Sequence, residues 1–399
     1  MIKDTINQFK DNVPVLFNNR KNCCGCTACV TVCPKDAIEM KADEKGFLYP
    51  EIDDTKCVNC GLCVKTCTFQ NGYKTPDNFD TPLVYAVKHK KLEERLTSRS
   101  GGMFIAASDW ILENGGVIYG AGYGDNFYVM HKCATNKETL FDLKGSKYVQ
   151  SDMNTIFSQI IDDLKNDRYV LFSGTPCQTS GLYSCLKNVN TEKLFVCDIV
   201  CHGTPSPYIW RDYLKFSKKR YKGNITKTDF RDKSFGWNTH IESLWFENGK
   251  KVSSEIYTKL FCKCIMFRPS CGNCKYTNTR RPSDFTIADF WGIGKAVPGF
   301  DDNKGVSLVF LNTSKGKNLF ETVAENIEYK SSRLEDCMQH NLKNPSVFSD
   351  KTDDFWKDYI ANGFEFVAKK YSTLNLKGEI KFKLKIHLKP LLKKIKLKK

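Results

Sequence analysis

Cys23-Cys24-Gly25-Cys26-Thr27-Ala28-Cys29-Val30-Thr31-Val32-Cys33-Pro34 is answered, 34 positions further on, by Cys57-Val58-Asn59-Cys60-Gly61-Leu62-Cys63-Val64-Lys65-Thr66-Cys67-Thr68. Each stretch is a C-x2-C-x2-C-x3-C run. Three closely spaced thiolates can grip one face of an iron–sulfur cubane, and the fourth, set off by a longer gap and a proline turn, reaches across to the other cluster. The spacing therefore predicts one [4Fe–4S] cluster on Cys23, Cys26, Cys29 and Cys67, and a second on Cys57, Cys60, Cys63 and Cys33. Thr68 stands where the first run has Pro34, which predicts a looser second turn with the same ligands. Cys24 is surplus to the pattern and reads as a bystander.

Competing uses of these cysteines are weaker. Disulfides need an oxidising compartment, and the first twenty residues show no secretory apolar region. Zinc takes four ligands in two separated pairs rather than in two four-cysteine runs. Nineteen cysteines without an export signal point to a reducing cytoplasm and to metal chemistry. The chain of 399 residues is long enough for two or three domains. No apolar stretch approaches the ~20 residues that span a bilayer.

The net charge of +16 is concentrated at one end. Residues 377–399 contain ten lysines against Glu379 alone, leaving +7 for the rest of the chain. The tail alternates Lys383-Leu384-Lys385-Ile386 and runs on through Pro390-Leu391-Leu392-Lys393-Lys394-Ile395. One reading rests this basic amphipathic end on the inner face of the cell membrane, each headgroup contact contributing ~1 kcal/mol. The other leaves it as a solvated terminus. Nucleic acid is not expected as a partner, because the tail has a single aromatic, Phe382, and no accompanying binding motif.

Beyond the cysteine runs, Thr75-Pro76-Asp77-Asn78 reads as a linker. Strands are expected over 83–88, 117–119, 169–172 and 194–200. Helices are expected over 101–114, with Ser100 as cap and Gly115-Gly116 as stop, and over 156–164. Two of these strands open into Gly174-Thr175-Pro176-Cys177 and Cys201-His202-Gly203, the kind of strand end where α/β sheets bind ligands. Gly120-Ala121-Gly122-Tyr123-Gly124 hints at a dinucleotide loop but lacks the G-x-G-x-x-G spacing before a helix. Residues 225–257 suggest antiparallel hairpins.

Six stretches taken in order carry a resemblance. They are Ser100-Gly101-Gly102, Gly145-Ser146-Lys147-Tyr148-Val149-Gln150-Ser151, Gly174-Thr175-Pro176-Cys177-Gln178, Cys201-His202-Gly203-Thr204-Pro205-Ser206-Pro207, Phe230-Arg231-Asp232-Lys233, and Arg268-Pro269-Ser270-Cys271 through Asp289-Phe290-Trp291-Gly292. Residues 80–330 resemble the beta subunits of coenzyme F420-reducing hydrogenases and F420-dependent dehydrogenases, an iron–sulfur flavoprotein family to which a ferredoxin module is often fused. Ala288 stands where that family usually shows glycine. The expected fold is an α+β ferredoxin-like two-cluster module followed by a mixed α/β flavin-binding core. Its divisions are 1–74 for the ferredoxin-type domain, 80–160 and 161–335 for the two parts of the core, and 336–399 for a helical extension with the basic tail.

The resemblance implies FAD. Small Ser100, Gly101 and Gly102 would let a helix N-terminus approach a pyrophosphate. Ser146, Lys147, Tyr148, Gln150 and Ser151 would offer a cation and donors, and Thr175 and Gln178 would meet the flavin edge. Ordinary turn and cap chemistry is the alternative for each. It also implies a third [4Fe–4S] cluster on Cys177, Cys201, Cys271 and Cys274, against a zinc knuckle on Cys262, Cys264, Cys271 and Cys274 or free thiols. Cys133, Cys185, Cys197 and Cys337 read as core or bystander thiols.

The expected activity is conversion of single electrons, from ferredoxin or a partner subunit, into hydride delivered from flavin to a substrate. His202 is the candidate proton donor, with a loop-fixing hydrogen bond as its alternative, and Lys147 would stabilise reduced flavin by charge. The substrate would be F420 or, given a lysine-rich composition like that of AT-rich bacteria, a small-molecule or lipid-linked intermediate of polysaccharide biosynthesis. The rival reading is a relay subunit of a larger hydrogenase or dehydrogenase complex.

Overall fold

A computed structural model describes residues 9–10 and 13–396. The chain divides into two compact units, one of residues 1–203 and 268–346 and the other of 204–267 and 347–399. This division cuts through the expected 161–335 segment, because residues 204–267 leave the first unit and join the C-terminal extension.

In the first unit the two cysteine runs fold as a repeat. Helix α1 (Ala28–Thr31) and helix α2 (Leu62–Lys65) are single turns, each entered through a left-handed residue, Thr27 at φ 68° and Gly61 at φ 68°. Gly25 and Asn59, again 34 positions apart, are also left-handed. Between the runs, β1 (Ile38–Ala42) and β2 (Leu48–Ile52) form an antiparallel hairpin.

The rest of this unit is built on an eight-stranded sheet. Its strands are β3 (Asn78–His89), β4 (Val117–Tyr123), β5 (Val129–Ala134), β6 (Val170–Gly174), β7 (Leu194–Ile199), β8 (Phe285–Asp289), β9 (Ser307–Thr313) and β10 (Ile327–Ser332). Their order is β10-β3-β9-β8-β7-β6-β4-β5. The inner pairs β4–β6, β6–β7 and β7–β8 are parallel and the outer pairs antiparallel. Helix α3 (Met103–Glu113) packs Ile105, Ala106 and Ile111 into one apolar cluster, and α4 (Ile156–Lys165) packs Phe157, Ile160 and Leu164 into another. The second cluster also takes in Ala28 of the cysteine module and Leu182 of α5 (Pro176–Cys185). The module is thus packed into the same core as the sheet.

Several expectations change here. Gly102, not Ser100, occupies the N-cap of α3, and Ser100 instead bonds the Val306 carbonyl at 2.7 Å. The glycines are needed for close approach: a side chain at Gly101 would stand 2.0 Å from the Val87 carbonyl oxygen. Gly120, Ala121, Gly122 and Tyr123 are not a loop but the continuation of β4, paired along β5. Ala288 sits in ordinary register opposite Leu308.

The second unit contains the antiparallel strands Ile225–Asp229, Glu242–Phe246 and Lys251–Ser254, in line with the hairpins expected over 225–257. Its helices include Pro207–Tyr221, Thr352–Tyr371 and Leu376–Lys396. Trp210, Tyr213, Phe230 and Tyr257 form its aromatic core. Buried Arg231 bonds the Trp237 and Thr239 carbonyls, and Asp232 bonds Ser243, so the Phe230-Arg231-Asp232-Lys233 stretch serves structure. Among the described residues, no helix is long and apolar enough to cross a membrane.

Candidate iron–sulfur centre

The left-handed residues of the repeat turn successive backbone amides toward sulfur. Ala37 N–H donates to Cys33 Sγ at 3.3 Å and Asn59 N–H to Cys57 Sγ at 3.4 Å. The amides of Gly25, Ala28 and Val64 act in the same sense on Cys23, Cys26 and Cys63, lowering their thiols against burial. Such donors favour the thiolate, the form that ligates iron.

The eight cysteines gather around two hollows. One is lined by Cys23, Cys26, Cys29 and Cys67, with Cys24 and Cys63 also on its wall. The other is lined by Cys33, Cys57, Cys60 and Cys63. Each hollow therefore brings the three expected cysteines of one run to the expected crossing cysteine of the other. Apolar Leu16, Phe17, Met40 and Pro50 complete the first. Sulfur donors in apolar hollows, with amides aimed at the sulfurs, fit a [4Fe–4S] cubane at each site.

Thr68 does not loosen its turn. Its hydroxyl lies 2.8 Å from that of Ser180 and 3.2 Å from that of Tyr276, tying the second run to α5 and to the loop after Cys274. Cys24 is no bystander either. It lies on the wall of the first hollow, and interaction with Cys177 and Cys26, together with burial, pushes its thiol up. The same interaction with Cys24 draws the Cys177 thiol down to about 7, against its burial. Spacing alone could not show this, because Cys177 lies far along the chain.

Cys177 is the second residue of α5, just past β6, and Cys201 follows β7 by two residues. Cys271 lies in a 3-10 turn, Pro269–Asn273, and Cys274 ends it. The four are neighbours: Cys201 feels the charge of Cys271, Cys177 and Cys274, and Cys274 that of Cys177 and Cys271. Burial pushes the Cys201 thiol well up and that of Cys274 up to about 12. A metal bound among them would supply the positive charge that offsets this burial. Arg281 holds the set from behind. Fully buried, it pairs with Asp198 at 2.9 Å while donating to the carbonyls of Tyr276 (2.8 Å), Asn278 (3.2 Å) and Ile199 (2.9 Å). The end of β7 and the loop after Cys274 are thereby fastened to one guanidinium. Cys262 and Cys264 belong to the other unit. Among the described residues no three Cys, His, Asp or Glu side chains close around a single ion.

The residues implied for flavin do not form an open cradle. Lys147 donates to the carbonyls of Asp142 (2.7 Å) and Lys144 (2.9 Å). Gln150 is buried, its Oε1 accepting from Leu48 N–H and Arg268 at 3.2 Å each. Ser151 is bound to His131 at 2.7 Å. Thr175 and Gln178 make a capping box at the start of α5. Tyr148 is half-buried, while Gly145 and Ser146 lie exposed. His202 bonds Asn341 through Nδ1 at 3.0 Å, and its carbonyl accepts from Ser346.

This is an iron–sulfur electron-transfer protein, with a two-cluster ferredoxin-type module built onto an α/β sheet. Residues 22–71 match the 4Fe-4S dicluster domain, and residues 167–336 match the C terminus of the coenzyme F420 hydrogenase/dehydrogenase beta subunit. The dicluster match therefore lies ahead of the segment that matches the beta subunits. It is 22% identical over 325 residues to the F subunit of the F(420)H(2) dehydrogenase of Methanosarcina mazei, covering 77% of this chain and 83% of that one. Over 61 residues it is 37% identical to ketoisovalerate oxidoreductase subunit VorC of Methanothermobacter marburgensis, covering 15% and 75%. A chain in the xenon-derivatised F420-reducing [NiFe] hydrogenase complex from Methanosarcina barkeri superposes with a TM-score of 0.44 at 16% identity, covering 74% of this chain and 91% of that one.

Proposed function

We propose that the chain is an oxidoreductase subunit that takes single electrons from ferredoxin or a partner subunit and delivers them in pairs, as hydride, to a substrate. Cys23, Cys26, Cys29 and Cys67 would hold one cluster, Cys33, Cys57, Cys60 and Cys63 the second, and Cys177, Cys201, Cys271 and Cys274 a third. When bound, the clusters supply one-electron storage and FAD supplies the conversion of two single electrons into hydride.

The observation that carries this reading is the pair of hollows, the first lined by Cys23, Cys26, Cys29 and Cys67 and the second by Cys33, Cys57, Cys60 and Cys63. The outer site has the character of an inlet: Cys60 is exposed, and Val58 and Leu62 beside it are 56% and 41% exposed, an apolar surface for a redox partner. FAD enters on the family resemblance rather than on donor geometry, with exposed Gly145 and Ser146 the groups that have room for its phosphates. F420 is the first acceptor to try, since a relative is named for it. A polysaccharide-biosynthesis intermediate is the alternative. On the helix Leu376–Lys396, exposed Leu376, Ile380 and Leu384 recur every four residues among lysines. This stripe supports a cytoplasmic protein resting on the inner membrane face.

The second reading, a relay without its own substrate, is favoured by the names of two relatives, both subunits of larger enzymes. Anaerobic purification with iron, sulfide, zinc and released-flavin quantification separates the two. About twelve irons and one FAD per chain support the self-contained oxidoreductase. About eight irons with zinc, or a full iron count without flavin, overturns it in favour of the relay or of a structural core.

A further inference from the structure

Arg268 is 1% exposed, and among the described residues no carboxylate lies within ion-pair distance of it. Its Nε donates to the Cys23 carbonyl at 2.9 Å, and Nη1 donates to the carbonyls of Leu48 at 3.0 Å and of the Gln150 side chain at 3.2 Å. Nη2 faces Cys23 Sγ at 3.6 Å, and the guanidinium lies 4.0 Å from the centre of the Tyr49 ring. Its own carbonyl accepts from Cys271 N–H at 2.9 Å. One residue therefore grips a sulfur ligand of the module with its side chain and a core cysteine with its backbone. Gly25 makes room: a side chain there, at φ +71°, would stand 3.1 Å from the guanidinium carbon and 2.7 Å from Gln150 Nε2.

A buried cation without counter-charge is expensive. The titratable groups that act on it are Cys23, Tyr49, Cys24 and Cys271, three of them sulfurs. An iron–sulfur cluster with four thiolates gains one negative charge on reduction, and a fixed cation in a dry site favours that form. Among the described residues lining the second module site, the one cation is Lys35, which is exposed to water and screened.

We propose that Arg268 is a positioning residue for electron flow. Its buried charge makes the site on Cys23, Cys26, Cys29 and Cys67 easier to reduce than the site on Cys33, Cys57, Cys60 and Cys63. Electrons that enter at the exposed site then settle beside the core cysteines. The inference rests on the two module clusters of the proposed function.

The test is a redox titration of the anaerobic full-length protein, followed by low-temperature electron paramagnetic resonance, with iron counted first. In the wild type the two module clusters reduce in separate steps, with equilibria at least tenfold apart, or ~59 mV for one electron. In a Cys57→Ala/Cys60→Ala protein the higher-potential step survives. Arg268→Gln lowers that step at least tenfold and leaves the other in place, whereas Arg268→Lys, which keeps the charge, restores most of the difference. Equal wild-type steps, survival of the lower step, or an Arg268→Gln protein with full iron and unmoved potentials each overturn the proposal. Should Arg268→Gln lose its clusters, the wild-type and Cys57→Ala/Cys60→Ala results decide alone. Absence of iron from the wild type overturns the cluster reading itself, a distinct result.

Discussion

The four cysteines around each module hollow come from an 11-residue run plus one crossing partner, whereas Cys177, Cys201, Cys271 and Cys274 are gathered from a span of 98 residues. In the module the backbone does the gathering: left-handed residues at 25, 27, 59 and 61 bend two short loops so that their own amides meet the sulfurs. In the core the sheet does it. Parallel β6 and β7 end side by side, with Gly174 in register with Asp198, and their outgoing loops bring Cys177 and Cys201 together. A local set is stable as far as its loop is stable; a dispersed set depends on the packing of everything that carries it.

The difference can be broken most directly at the core cysteines. Cys271→Ala with Cys274→Ala is expected to lower iron from about twelve to about eight per chain, with the module's spectroscopic signal intact. Unchanged iron would dissolve the comparison, since only the module would then hold clusters. The Asp198–Arg281 pair is the next point of attack. Both side chains are at most 1% exposed, and removing one partner of such a pair costs about 3–5 kcal/mol. Asp198→Ala is expected to unfold at correspondingly lower denaturant and to lose core iron before module iron. Simultaneous loss of both would mean that the two sites share one fate.

What was legible in the sequence follows the same division. The cysteine runs announce their chemistry because ligand spacing is local and repeats. The helix 156–164 and the strands at 169–172 and 194–200 were legible from apolar periodicity, and the structure has them at Ile156–Lys165, Val170–Gly174 and Leu194–Ile199. Gly120-Ala121-Gly122-Tyr123-Gly124, set aside as a dinucleotide loop for want of the G-x-G-x-x-G spacing, continues the strand β4. Cys24, Arg268 and Arg281 were not legible as site residues. Arg268 reaches Cys23 across 245 positions and Arg281 reaches Ile199 across 82, and nothing in their immediate neighbours marks them. In the sequence Arg268 is no more than the first residue of a matched stretch, and its buried, unshared charge arises only once the chain is folded.

The core scaffold should also be the acid-sensitive part. His131, on β5, is enclosed by the Ser151 hydroxyl at 2.7 Å and the Ser173 carbonyl at 3.1 Å, one residue before the end of β6. Burial brings its pKa down to about 4, and the charge of Lys147 adds to the effect. Below its ordinary value of 6.5 the unfolded chain binds a proton that the folded one refuses. Stability contributed by neutral His131 is therefore complete above pH 6.5 and falls as the pH drops toward 4, by about 2 kcal/mol at pH 5. Unfolding measured at pH 7 and pH 5 should show this slope in the wild type and lack it in His131→Gln. An equal slope in both proteins would shift the acid sensitivity away from the sheet.

The smallest effect probes where the two regions meet. Gly181 lies within α5, and a side chain there would stand 2.9 Å from Cys26 Sγ and 3.0 Å from Cys26 Cβ. In an unobstructed helix, glycine to alanine gains about 1 kcal/mol. Here the gain is available only if Cys26 can swing aside, and a cysteine bound to iron cannot. Gly181→Ala is therefore expected to destabilise by about 1 kcal/mol through overpacking, and to alter the resonance of one module cluster while the other keeps its own. A stabilised protein with unaltered resonances would mean that Cys26 moves freely. In that case the first run would lack the rigidity that distinguishes it from the dispersed set.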